Sequence, residues 1–172
     1  MRERVAHIGG TLPTCSRLGA GVYLEVRPLP DSKGDRDRRG MTSPARPRVL
    51  LVDDHDAILQ RAAAVLSKVC VVVGAVRDGP AALKAIDALQ PDVVVLDLSM
   101  PGMSGLEVAA RLRDQGSTVA LVFLTVHHDQ DFVQAAQSAG GLGFVVKSLL
   151  HSDLVTAVME AHAGRPFVST ML

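Results

Sequence analysis

The chain contains no Trp, one Tyr and four Phe, so aromatics make up only 3% of its 172 residues. Hydrophobic residues reach 48%, and the core they form must therefore be built from Val, Leu, Ala and Ile. Two cysteines, Cys15 and Cys70, cannot make a disulfide framework, and Cys70 lies in an apolar run where a buried thiol is the default. Nothing else suggests an oxidising compartment. No apolar stretch approaches the ~20 residues that a membrane span needs. Arg2 and Arg4 precede His7, Gly9, Gly10 and Pro13, which interrupt any signal-peptide core. These absences lead us to expect a cytoplasmic location with no membrane partner.

A net charge is also missing, but the balance conceals an asymmetry. Residues 1–48 hold ten Lys and Arg against five Asp and Glu, giving +5, and residues 49–172 hold eight against thirteen, giving −5. The larger part is acidic and badly suited to gripping nucleic acid, so no direct DNA binding is expected of this chain. Residues 1–46 show neither helical nor strand periodicity over any useful length. Pro28, Pro30 and Pro44 punctuate them, and residues 31–40 form a solvated charge run. Such a stretch buries too little apolar surface to offset its ordering entropy, and we read it as a disordered extension. Residues 47–172 are the expected domain. Met41 precedes a short polar leader and is an alternative start of translation.

From Val49 onward the chain alternates short β-branched runs with amphipathic stretches. Strands are expected near 48–53, 70–76, 92–97, 119–124 and 143–147, and helices near 56–67, 80–89, 104–114, 129–139 and 151–163. Runs of this type read as strands buried on both faces of a parallel sheet. Helical crossovers between them give a doubly wound α/β fold. Four runs end on complementary polar residues: Asp53-Asp54, Asp97, Thr125 and Lys147. Ligands of open parallel sheets sit just beyond the carboxyl ends of the strands. The pattern thus gathers three carboxylates, a hydroxyl and an ammonium at one end of one sheet, a site suited to a divalent cation and a phosphoryl group.

Residues Asp53-Asp54-His55, Asp97-Leu98-Ser99-Met100-Pro101-Gly102-Met103-Ser104-Gly105, Leu124-Thr125 and Gly143-Phe144-Val145-Val146-Lys147 resemble the receiver domain of two-component response regulators. His55 and the closing Gly164-Arg165-Pro166-Phe167-Val168-Ser169 look like the subfamily that usually carries a helix-turn-helix output domain. The resemblance covers about three quarters of the chain. It implies a five-stranded flavodoxin-like sheet of order 2-1-3-4-5. It also implies a phosphoacceptor signalling domain that assists its own phosphorylation and dephosphorylation rather than an enzyme.

By the same resemblance, Asp97 is the phosphoacceptor, served by a histidine kinase or phosphotransfer protein. Asp54 and Asp97 bind Mg²⁺ directly, Asp53 acts mainly through water, and the backbone carbonyl of Ser99 completes the protein's share. Clustered carboxylates repel unless a cation neutralises them, and Mg²⁺ takes oxygen ligands while keeping several waters. Lys147 pairs with Asp97 and then with a phosphoryl oxygen, Thr125 donates its hydroxyl to another, and Phe144 turns inward as Thr125 is drawn over. No segment for a helix-turn-helix follows the fifth helix, so the expectation is either output by contact with a downstream protein or a truncated gene product. Monomer and homodimer both stay open. His55, His127 and His128 lack a second ligand pair at zinc spacing and are set aside as metal ligands.

Two departures from the family pattern stand out. Val126 replaces a small residue after Thr125 and narrows access for small phosphodonors. Ser148 replaces the Pro that often follows the Lys, where a cis bond would cost about 3–4 kcal/mol without proline. Three rivals remain. An aspartyl-phosphate phosphatase needs an acid–base Asp two residues after the nucleophile, where Ser99 stands. A flavin domain would not set Asp53-Asp54-His55-Asp56 against a phosphate. A phosphorylation-independent adaptor would need no Mg²⁺.

Overall fold

The computed structural model describes residues 16–17, 22–23, 46–126 and 130–169. From Arg48 the chain runs β1 (Arg48–Val52), α1 (Asp56–Leu66), β2 (Val71–Val76), α2 (Gly79–Leu89), β3 (Val93–Asp97) and α3 (Gly105–Asp114). It continues through β4 (Ala120–Thr125), α4 (Gln130–Ser138), β5 (Gly143–Val146), α5 (Leu150–His162) and β6 (Phe167–Val168). The sheet is parallel, in the order β2-β1-β3-β4-β5-β6.

The expected order of the first five strands holds, but the sheet has six strands rather than five. Gly164, at φ 73°, turns the chain back after α5. Phe167 N–H then donates to Leu142 O and Ser169 N–H to Phe144 O, each at 2.8 Å, which lays β6 along β5. Two residues are too short a run for periodicity to reveal. The fifth strand also ends earlier than expected. It stops at Val146, and Lys147 opens a single 3-10 turn, Lys147–Leu149, that leads directly into α5.

Alternation along the strands divides the core between two faces. Val49, Leu51, Val93, Val95, Val122, Leu124 and Val145 point towards α1 and α5. Leu50, Val52, Val94, Leu96, Leu121, Phe123 and Phe144 point towards the other face, where α2, α3 and Ala136 of α4 lie. Each such Val or Leu, fully buried, contributes roughly 1.5–3 kcal/mol. Helix starts are chemically marked. Asp78 caps α2 by accepting from Ala81 N–H at 2.7 Å, and Ser104 and Glu107 form a reciprocal capping box on α3.

Within 1–46, Ser16–Arg17 and Val22–Tyr23 pair antiparallel. Otherwise the reading of that stretch as an extension lies outside the described residues, as do His127, His128 and Asp129. Among the described residues no helix is long and apolar enough to cross a membrane.

Candidate functional site

The polar residues expected at the strand ends meet at the carboxyl edge of the sheet. Asp53 follows β1 and keeps one strand-like bond, donating its N–H to Val76 O at 3.1 Å. Its Oδ1 accepts from His55 N–H at 2.9 Å, so the loop folds around the carboxylate. Asp54 is partly exposed, yet both neighbouring carboxylates face one cluster because the strand has ended. Asp97 is the last residue of β3 and its Oδ1 accepts from Ser99 N–H at 3.3 Å. Thr125 ends β4, and both Asp97 and Thr125 are 1% exposed.

Lys147 holds these elements together. Its Nζ lies 2.7 Å from Asp53 Oδ2 and 2.9 Å from Asp97 Oδ2. Those oxygens are shut off from solvent, so the pairing acts with little screening from water. Burial pulls the ammonium down, but Asp53 and Asp97 outweigh it and Lys147 ends above the ordinary lysine value. Burial pushes Asp97 up; contact with Lys147 opposes this, and the charge of Asp53 adds to it. One cation therefore serves two buried carboxylates, and the cluster remains short of positive charge.

The donor set fits a hard cation. Asp53, Asp54, His55 and Asp97 each offer a ligand atom, and these atoms lie within 4.8 Å of one another. Asp53 Oδ2, Asp54 Oδ1 and Asp97 Oδ2 are buried oxygens with unfilled acceptor capacity. Three carboxylates suit Mg²⁺ better than a thiophilic metal. His55 has no ligand pair at zinc spacing, yet its Nδ1 stands 2.7 Å from Asp54 Oδ1 and 3.4 Å from Asp53 Oδ1. It belongs to the cluster as a neighbour of the carboxylates. Ser99 is exposed beside Asp97, on the loop where its carbonyl was expected to serve.

Gly105 is a positioning residue whose role spacing alone did not show. A Cβ there would stand 2.2 Å from Asp97 O, so only glycine lets α3 start directly under the loop that follows Asp97. Its N–H donates to Leu98 O at 3.1 Å, and Gly102, at φ 79°, makes the preceding turn possible. The Ser104-Gly105-Leu106-Glu107 pattern carries a legible capping-box signal. The backbone approach behind it leaves no trace in sequence. Phe144 is 2% exposed and already packed inward on the α2/α3 side. The expected inward turn therefore has no outward starting point in this conformation.

Residues 49–159 match the response regulator receiver domain family, and the chain belongs to that family. It is 36% identical over 131 residues to the transcriptional regulatory protein NarL of Mycobacterium tuberculosis, covering 75% of this chain and 61% of that protein. It is 32% identical over 126 residues to the nitrate/nitrite response regulator protein NarL of Escherichia coli K12, covering 72% and 58%. The structure resembles the signal receiver domain of NarL from M. tuberculosis with a TM-score of 0.67 and 35% identity, over 71% of this chain and 100% of that one. The chain thus spans about 60% of the length of these curated relatives.

Proposed function

We propose that this chain is a phosphoacceptor signalling domain, taking a phosphoryl group on Asp97 from a histidine kinase or phosphotransfer protein. The observation that supports this best is the Lys147 ammonium between Asp53 Oδ2 and Asp97 Oδ2, at 2.7 and 2.9 Å. An Asp97 oxygen would bond to phosphorus as the donor's P–N bond breaks, and the departing imidazole takes up a proton. Lys147 then pairs with a phosphoryl oxygen, and the Thr125 hydroxyl donates to another. Asp54 and Asp97, with the Ser99 carbonyl, would hold Mg²⁺ directly and Asp53 would hold it through water; when bound, the ion offsets the charge of carboxylates and phosphoryl group together. Positioning and electrostatics account for the assistance, without turnover of a small substrate, so the domain is not an enzyme in that sense.

Phosphorylation adds about −1.5 to −2 charge to the cluster. Loops carrying Thr125 and Lys147 would close on it, and the altered surface would be α4, β5 and α5. Output by protein–protein contact from that surface is our reading for a cytoplasmic signalling pathway, whatever longer arrangement the chain serves.

The test is incubation of the full chain with Mg²⁺ and acetyl phosphate, read by intact mass, and with beryllofluoride, read by heteronuclear spectra. We expect one hydroxylamine-labile phosphoryl group on the wild type and none on Asp97→Asn. Mg²⁺ titration should weaken more in Asp54→Ala than in Asp53→Ala. Labelling of Asp97→Asn at the wild-type rate would place the acceptor elsewhere. An unlabelled wild type that still engages its partner would favour the phosphorylation-independent adaptor.

A further inference from the structure

The loop from Leu98 to Ser104 carries the Ser99 carbonyl, and backbone bonds fix its two ends. Leu98 N–H donates to Leu124 O at 3.0 Å, and Gly105 N–H donates to Leu98 O at 3.1 Å. Between them Pro101 and Gly102 are exposed, and Met103 N–H turns back to Pro101 O at 3.0 Å. Here the seating falls to the Met103 side chain.

Met103 lies across Gly79, the buried first residue of α2. A Cβ built on Gly79 would stand 2.8 Å from each of the Cβ, Cγ and Sδ atoms of Met103. Carbon atoms in ordinary contact stand about 3.5–4.0 Å apart, so the seat admits a hydrogen and nothing larger. Rotation about χ1 would clear Cγ and Sδ, but Cβ is fixed by the backbone. Any side chain at residue 79 must therefore lift the loop itself, by about 0.7 Å to reach ordinary contact.

The same junction holds the other half of the acidic cluster. Val76 O, three residues before Gly79, accepts from Asp53 N–H at 3.1 Å. Asp78 Oδ1 accepts from Ala81 N–H at 2.7 Å and fixes the turn into α2. Residues 76–79 thus grip Asp53 at one end and Met103 at the other. They tie together the two loops whose carboxylates converge, the one at Asp53 and Asp54 and the one that begins at Asp97.

We propose that Met103, seated on Gly79, is a positioning residue that sets the spacing between the Asp53–Asp54 loop and the Ser99 carbonyl, and through it the affinity for Mg²⁺. The inference rests on the reading of this cluster as an Mg²⁺ site with the Ser99 carbonyl among its ligands. Mg²⁺ demands near-octahedral geometry at about 2.0–2.1 Å. A lifted loop therefore weakens the site even while the fold survives.

Calorimetric Mg²⁺ titration of the full chain tests this, beside heteronuclear spectra of the metal-free protein and urea unfolding. Gly79→Ala should weaken binding at least tenfold and shift the Ser99 and Met103 amide signals before any metal is added. Met103→Gly, which empties the seat, should weaken binding at least threefold. In that background Gly79→Ala should cost less than a further threefold, because the opposing Cβ is gone. Ala88→Gly, nine residues further along α2, should lower the urea midpoint and leave the affinity unchanged. Wild-type affinity in either Gly79→Ala or Met103→Gly would overturn the proposal, with the Mg²⁺ reading left standing. An equal loss from Gly79→Ala in both backgrounds, or a comparable loss in Ala88→Gly, would trace the effect to α2 and also overturn it. A wild type that takes no Mg²⁺ would remove the metal reading itself, and this proposal with it.

Discussion

At the amino ends of the strands, polar groups are matched nearly one to one. Asp92 accepts from Arg48 N–H at 2.8 Å, the Arg48 guanidinium donates to Leu89 O at 2.6 Å, and Gln90 N–H closes α2 on Ile86 O at 2.9 Å. A cavity of about 590 Å³ opens there, lined by Ile86, Leu112, Leu142 and His162 among others, but no group of three or more potential metal ligands converges on it among the described residues. At the carboxyl ends, two buried carboxylates share one ammonium, a third stands beside them, and Asp97 is pushed above the ordinary carboxylate range by burial. The same strands thus end in satisfied groups on one side and in unmet charge on the other. Room is not what marks the functional end; uncompensated charge is.

Gly105→Ala should break this contrast most severely. Its Cβ would stand 2.2 Å from Asp97 O, and the backbone of β3 or α3 must shift. We expect a loss of about 3 kcal/mol in urea unfolding, at the upper end of ordinary overpacking, together with slower phosphorylation. Lys147→Met comes next, because it leaves Asp53 and Asp97 facing each other with no cation. A loss of about 2 kcal/mol is expected in chelator-treated protein at neutral pH, with part of it restored by Mg²⁺. Because Lys147 is raised in the fold, its contribution is complete below the unfolded lysine pKa and fades as pH rises through the higher folded one. The wild type should therefore lose stability in strong alkali by a step that the Met variant lacks.

Asp97→Asn should act in the opposite direction. The folded carboxyl holds its proton more tightly than the unfolded one, so its ionisation costs stability above the folded pKa, and that cost is relieved as pH falls towards the unfolded value. Without metal, the Asn variant should melt a few degrees higher at neutral pH, on the order of 1 kcal/mol, and the gain should shrink in acid. An unchanged melting temperature would mean that Lys147 already compensates Asp97 in full. The smallest effect is reserved for the satisfied end. Asp92→Ala removes an exposed bond to Arg48 N–H, and a loss of about 1 kcal/mol or less is expected, with phosphorylation unaffected.

Much of this architecture was legible in the chain. Val49, Val93 and Leu121 open β-branched or aliphatic runs whose length and flanking breakers place five strands, and the runs end on the residues that later meet. Ser104 and Glu107 mark the start of α3 by a local pattern. What escaped was non-local or too brief. β6 consists of two residues held by bonds to Leu142 and Phe144, and nothing within residues 167–168 announces them. Lys147 reads as the end of a strand because Val145 and Val146 are apolar, yet its backbone has already turned.

By itself the sequence determined the order of elements, which residues each strand carries at its end, and the chemical kinds available there, because these follow from periodicity and covalent neighbourhood. Only the tertiary structure decided that Lys147 stands between Asp53 and Asp97, that His55 folds against Asp54, that α3 passes so near Asp97 that residue 105 must be glycine, and that Phe144 already lies inward. Those are distances between residues far apart in the chain. They are set by sheet register and helix packing, and no local pattern encodes an ångström.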